Sequence, residues 1–234
     1  MAGLAMPTPD TNPELMRSLG RLVRGLSALF WGLPVALIVC FHTAKSDSFK
    51  GFGILPPLLC TGWLVYGLLQ LGFFQPQERV WQSALDRARV LGVILFGLCP
   101  FLYWSNRVPG NLFFFVMTLL MSMAALLFLG SLNVVLQRRA AMLPDEALRH
   151  EVTQFTLVNL NLLAVTIFLA IVLLALHYLD RYEVPVWVHV AGQIASQGSL
   201  WVLLILVLLP LAMTMALVWK TKEVILDSVF SAPA

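Results

Sequence analysis

Apolar residues occur along this chain in six long runs, separated by short stretches that carry most of the charged side chains. The cleanest run is Leu200–Trp219, which contains no charged residue and a single hydroxyl, that of Thr214. A helix of about 20 residues is about 30 Å long, which matches the hydrocarbon core of a bilayer. The run ends abruptly at Lys220 and Lys222. It therefore predicts a transmembrane helix.

Five further runs of similar character lie at about residues 25–41, 53–73, 90–104, 112–136 and 155–178. Together the runs predict an all-α fold, a polytopic membrane helical bundle with six transmembrane helices. The expected organisation is a cytoplasmic N-terminal tail with a short helix (residues 1–24), a six-helix membrane domain (residues 25–219) and a cytoplasmic C-terminal tail (residues 220–234). Val184–Gly198 is mildly apolar, and it either lies in the outer interface or extends the sixth helix.

Two polar connections have the pattern of short cytoplasmic interfacial helices. In Gln75–Arg89 the apolar residues share one helical face, and a second helix start is expected near Pro144. Spans one, three and five begin near residues 22, 88 and 154, a constant spacing that suggests three repeated helical hairpins. The alternative is that apolar helices with similar loops match by chance.

Composition supports the membrane assignment. The chain is 59% hydrophobic and only 12% charged, about half the charged content of a soluble domain, so a water-soluble fold is excluded. The net charge of +3 and the lack of basic runs indicate no nucleic-acid partner. The three cysteines lie inside apolar runs, where they form neither a disulfide framework nor a zinc-binding spacing.

The positive residues predict the orientation. Eleven of the fifteen lysines and arginines fall on the side that holds both termini, if the six spans are threaded in order. Positive residues accumulate on the cytoplasmic side of membrane proteins. We therefore expect a multi-pass protein of the plasma (inner) membrane with a cytoplasmic N-terminus and a cytoplasmic C-terminus.

The fifth span has the most polar inner half of the six. None of the proposed spans contains Asp, Glu, Lys or Arg, which argues against an ion-coupled transporter. A polar face on the fifth span either lines a pathway for a neutral solute or forms hydrogen bonds to groups such as Ser122, Ser131 or Asn133 on another helix. The second interpretation is favoured. The candidate residues of this face are Thr156, Asn159, Asn161 and Thr166.

Other candidate sites are weaker. A polar face on the outer side, formed by Gln193, Ser196 and Gln197, is either the mouth of a pore or a helix-packing surface. Histidines and soft sulfur ligands in the outer half would suit haem or copper(I), but such residues at span ends and in apolar runs are ordinary. No cofactor or metal is therefore expected. These residues are His42, His177, His189, Cys40, Cys60, Cys99, Met117 and Met121.

Signatures of hydrolases, phosphate-binding loops and dithiol motifs are missing from the sequence. The leading hypothesis is a non-catalytic accessory or assembly subunit, or scaffold, in a membrane complex. Its expected partners are the lipid bilayer and other membrane subunits or further copies of the same chain. The alternatives are a transporter or channel for a neutral or lipid-like solute, and a haem- or copper-binding redox subunit.

Overall fold

A computed structural model describes residues 13–45, 50–73, 78–141, 146–179 and 186–230. Within these ranges, side chains are described for residues 16–45, 51–73, 78–141, 149–175, 202 and 204–226. The described chain is helical throughout and contains no strand. The helices are α1 (Pro13–Lys45), α2 (Leu55–Gly72), α3 (Arg79–Leu98), α4 (Pro100–Arg107), α5 (Leu112–Ala140), α6 (Glu146–Leu179) and α7 (Val186–Phe230), with a single 3₁₀ turn at Lys50–Phe52.

Six segments of these helices are long and apolar enough to cross a membrane, which confirms the predicted fold class. Their inner faces bury mostly leucine, while many large apolar side chains face outward. An outward apolar surface of this extent is stable only in lipid. The spans are Met16–Lys45, Leu55–Gly72, Arg79–Arg107, Leu112–Ala140, Arg149–Ala175 and Leu204–Leu226.

Each span packs against the next one along the chain, and α7 also packs against α1 and α5. The rings of Phe30 and Trp219 lie 5.5 Å apart and form part of the α1–α7 contact. Helices α1 and α2 approach closely, and a Cβ built on Gly25 would lie 2.9 Å from the carbonyl oxygen of Gly67. Two glycines therefore allow these backbones to touch.

The predicted interfacial helix at residues 75–89 is not a separate element, and this part of the prediction is wrong. Helix α3 runs unbroken from Arg79 to Leu98, and the apolar face of its first part packs into the bundle, with Trp81 only 1% exposed. The second interfacial helix is likewise the start of α6, which begins at Glu146 and continues to Leu179. An amphipathic face cannot reveal from sequence whether it covers lipid headgroups or a neighbouring helix.

Prolines shape two of the spans differently. Helix α1 continues through Pro34, whereas the third span is broken at Cys99, directly before Pro100. Proline has no N–H, so Pro100 leaves the carbonyl of Phe96 without its intrahelical donor. The thiol of Cys99 donates to that carbonyl at 3.2 Å. This difference gives no support to an exact hairpin repeat, and the 66-residue periodicity stays a prediction.

The ambiguous segment Val184–Gly198 belongs to the sixth spanning helix from Val186 onward, because α7 is continuous from Val186 to Phe230. Helix α1 likewise continues without interruption across residue 24, the predicted boundary between the N-terminal segment and the membrane domain.

The turn before α5 has a clear local cause. Gly110 adopts a positive φ of 88°, and the side chain of Asn111 accepts a hydrogen bond from the N–H of Phe113 at 2.9 Å.

Candidate functional site

Three of the four predicted polar residues on α6 face the interior of the bundle. Thr156, Asn159 and Thr166 are each 1% exposed. Steps of three and seven residues place them on one helical face, and that face packs against α5 and α7. The polar groups therefore meet other helices instead of lipid.

Thr214 of α7 is the centre of the polar contacts. Its side chain is fully buried, and its hydroxyl donates to the carbonyl of Pro210 at 2.7 Å. The same oxygen accepts the amide N–H of Asn133 from α5 at 2.9 Å and that of Asn159 from α6 at 3.0 Å. We call Asn133, Asn159, Pro210 and Thr214 the three-helix junction.

The hydrogen bonds of the junction use every donor that it contains. A hydroxyl can donate once and accept twice, and an amide nitrogen can donate twice. The second amide hydrogen of Asn133 goes to the carbonyl of Leu129 at 2.8 Å, and that of Asn159 to the carbonyl of Pro210 at 3.3 Å. The hydroxyl of Thr214 is likewise at full capacity. The junction is therefore a specific link between three helices.

Thr166 lies beside the backbone carbonyl of α7 that Pro210 leaves without a donor. Pro210 has no N–H, so the carbonyl of Leu206 lacks its usual donor. The hydroxyl of Thr166 lies 3.1 Å from that carbonyl and 2.8 Å from the carbonyl of Leu162 on its own helix. Neighbouring hydroxyls make proline tolerable inside a membrane in this way.

Two buried oxygen atoms on this face of α6 have no hydrogen-bond partner among the described residues. They are Oγ1 of Thr156 and Oδ1 of Asn159, both buried. In each of the other seven described threonines, the hydroxyl lies 2.7 to 2.9 Å from the carbonyl oxygen four residues earlier. Thr156 therefore departs from the usual pattern of a helix-buried threonine, and its hydroxyl is available to another polar group.

The fourth predicted residue, Asn161, is not part of this face. It is exposed on the outer surface of α6 and makes no hydrogen bond with the described residues. Two residues along a helix turn through about 200°, so Asn159 and Asn161 must point in nearly opposite directions. Its inclusion in the buried polar face is corrected accordingly.

Three ionisable side chains lie near span ends, at the end of the bundle where α6 begins. Lys220 of α7 forms an ion pair with Glu151 of α6, and both side chains are partly exposed. Helix α5 continues past the predicted end of the span to Ala140, and Arg139 lies in its last turn. The side chain of Arg139 is buried. The junction itself contains amide, hydroxyl and carbonyl groups and no charged side chain.

Within the described part of the chain, no group of three or more His, Cys, Asp or Glu residues is placed to hold a metal. Cys99 is buried and accepts a hydrogen bond from Thr61 at 3.5 Å, which fits a packing role. His177, His189, Gln193, Ser196 and Gln197 lie outside the residues whose side chains the structure describes.

Sequence reasoning missed Thr214, although the signal was present. Thr214 is the single hydroxyl in the run Leu200–Trp219 and stands one turn after Pro210. A lone polar residue beside a proline in an apolar helix marks a point where side chains from other helices can satisfy the backbone. Of the proposed partners for α6, Asn133 is the one that meets Asn159, through this hydroxyl.

The fold and the buried junction define an all-α membrane protein whose intramembrane polar groups are amides and hydroxyls. No protein family matches the chain, and no curated protein or solved structure is significantly similar to it.

Proposed function

We propose that this protein is a non-catalytic accessory or assembly subunit of a membrane complex, located in the plasma (inner) membrane with both termini in the cytoplasm. The observation that carries the proposal is the position of Asn161. It lies near the middle of the span Arg149–Ala175 and faces outward. Its neighbours Leu157 and Phe168 are 62% and 69% exposed, so the amide sits within a lipid-facing surface.

An amide in that position is costly when the chain is alone. Moving an amide from water to hydrocarbon without a hydrogen-bond partner costs roughly 2 to 7 kcal/mol. A second transmembrane helix with a polar group at the same depth removes this cost, and such contacts drive helix association in membranes. The remaining polar groups on this part of α6 are buried inside the bundle. Asn161 is thus the group on this helix that fits a role in assembly.

The test compares the wild-type protein with Asn161→Leu after extraction in a mild detergent. We expect the wild type to migrate as a complex larger than 26.0 kDa and the variant to lose most of that complex. Val158→Leu, at another exposed position of α6, serves as the control and should leave the complex intact. A wild-type protein that is monomeric in detergent and in crosslinked membranes would refute the proposal.

A neutral-solute transporter or channel is the second candidate, and the two unpartnered acceptors at Thr156 and Asn159 favour it. Weighing against it, both residues are almost fully buried. An open pocket of about 520 Å³ lies between α2 and α3, lined by apolar and aromatic side chains such as Leu59, Trp63 and Phe96. It does not lead to the junction.

Solvent access distinguishes the two candidates. A transport pathway requires that a cysteine placed at Asn159 react with a membrane-impermeant thiol reagent from at least one side. The packing role predicts no reaction at Asn159→Cys in intact membranes, in a background from which Cys40, Cys60 and Cys99 have been removed. Labelling at Asn159→Cys that a neutral solute blocks would favour transport over assembly.

A further inference from the structure

The outward face of α6 carries a regular stripe of exposed residues that includes Asn161. Successive members are four and three residues apart in alternation. This is the spacing of the contact positions in a left-handed coiled coil, in which two helices pack along a seam. We call this stripe the α6 seam. Its members are Leu157, Asn161, Ala164, Phe168, Ile171 and Ala175, all of them exposed.

The seam has a composition that specifies one pairing. Five of its six positions are apolar, and Asn161 is the single polar one. A lone asparagine at a seam position fixes the register of two helices, because any slip leaves its amide opposite an apolar side chain. Ala164, the next seam residue, is small enough to allow the helices to approach closely at that depth.

An asparagine side chain is its own complement, since it carries both an N–H donor and a carbonyl acceptor. Two copies of one chain follow the same rule for positive residues and insert in the same orientation. Their α6 helices therefore run parallel, and a two-fold axis along the membrane normal brings the same residue of each copy to the same depth. The amides can then form a reciprocal pair.

We infer that the partner on the α6 seam is a second copy of this chain, with the two Asn161 amides hydrogen-bonded to each other across a two-fold axis. The inference rests on the proposed function, because it names the partner that the lipid-facing amide recruits. The pairing satisfies each amide with one donor and one acceptor, and it extends an apolar contact along about five turns of helix. A partner of different sequence would need its own polar group at the matching depth.

Disulfide and maleimide crosslinking in membranes tests this pairing. Single cysteines are introduced into a chain lacking Cys40, Cys60 and Cys99, at the seam position Ala164 and at the off-seam position Val165. Both positions are exposed, so the variants should fold alike. Ala164→Cys should form a covalent dimer of twice the chain mass, and Val165→Cys should form at least fivefold less.

Adding Asn161→Leu to the Ala164→Cys chain separates register from mere proximity. The crosslinked dimer should fall at least fivefold, and Asn161→Gln, which keeps the amide, should restore part of it. Equal crosslinking at positions 164 and 165, or no effect of Asn161→Leu, would overturn the inference. A covalent adduct with a different membrane protein would overturn the second copy as partner while supporting the assembly role. A chain that crosslinks to nothing would refute both.

Discussion

Thr214 shows how much one side chain can contribute in a medium without water. Its hydroxyl joins α5, α6 and the backbone of α7, and each of its three hydrogen-bonding positions is occupied. In water such bonds would be exchanged for equal bonds to solvent. In hydrocarbon the amides of Asn133 and Asn159 have few other partners, so the contribution of the hydroxyl depends on what its removal would leave unsatisfied.

Replacing Thr214 with valine keeps the shape but removes the hydroxyl, leaving two buried amide N–H groups without their acceptor. We expect a loss of about 1 to 3 kcal/mol in the free energy of unfolding, measured by denaturation in mixed detergent. Thr221→Val is the matched control, because Thr221 is equally buried on the same helix but only donates to the carbonyl of Leu217. Equal losses in the two variants would contradict the central role of Thr214.

For single residues, the sequence predicted which side chains share a helical face better than it predicted their hydrogen-bond partners. The residues Thr156, Asn159 and Thr166 could be assigned to one face from their spacing, since helical periodicity determines direction. Which residue on which other helix they meet depends on packing between segments far apart in the chain. Asn159 and Thr214 are 55 residues apart in the sequence, so no local sequence pattern could predict their contact. The same spacing argument, applied strictly, would have separated Asn161 from the others.

Among whole elements, Pro100 and Pro210 follow one physical rule. Each proline removes a backbone donor, and in each case a side-chain donor lies within hydrogen-bond distance of the unpaired carbonyl: the thiol of Cys99 for Phe96, and the hydroxyl of Thr166 for Leu206. At Pro210 this side chain belongs to a neighbouring helix, so α6 and α7 are coupled through the missing hydrogen bond. Proline therefore contributes here to the specificity of helix pairing.

A double-mutant cycle tests that coupling. Thr166→Val should destabilise the wild type by roughly 0.6 to 2 kcal/mol, the range for interhelical hydrogen bonds in membranes. In a Pro210→Ala background residue 210 regains an N–H for the carbonyl of Leu206, so the same substitution should cost less. The unfolding free energies of the four chains give the coupling energy. A coupling energy of zero would show that the hydroxyl of Thr166 does not compensate for the N–H that Pro210 lacks.

The contact between α1 and α2 predicts that two glycine-to-alanine substitutions on α1 change stability in opposite directions. Gly25→Ala places a methyl group 2.9 Å from the carbonyl oxygen of Gly67, so the helices must separate, and we expect a loss of about 1 to 3 kcal/mol. Gly20→Ala is the control, because a Cβ there meets nothing within 4 Å. It should stabilise the chain by about 0.5 to 1 kcal/mol through higher helix propensity. Thermal unfolding of both variants measures the two signs.

On the scale of the whole molecule, hydropathy was sufficient to predict the number and approximate position of the spans. Length and apolar composition set them, and both can be read locally. The extent of the helices was not predictable in this way. Helices α3 and α6 both begin well before their apolar runs. In α3 the amphipathic first turns pack into the bundle, where Trp81, Ala84 and Leu85 are buried.

The orientation of the molecule remains a prediction from its positive residues. A reporter that is active only in the cytoplasm, fused after Phe230, should be active, and so should one fused before Pro13. Moving positive charge across the membrane is the informative control: replacing Arg138 and Arg149 by glutamine while adding lysines near Arg107 should weaken the preference. A C-terminal reporter that is active only on the exported side would reverse the map.

Thr214 follows both of its amide partners in the chain, and this order has a consequence for biosynthesis. The ribosome makes Asn133 81 residues before Thr214 and Asn159 55 residues before it. At about 5 to 20 residues per second, the amide of Asn159 waits roughly 3 to 11 seconds for the residue that provides its acceptor. During that time both amides reside in the insertion machinery or the bilayer without their acceptor, and a nascent chain stopped before Thr214 exposes them to quality-control proteases.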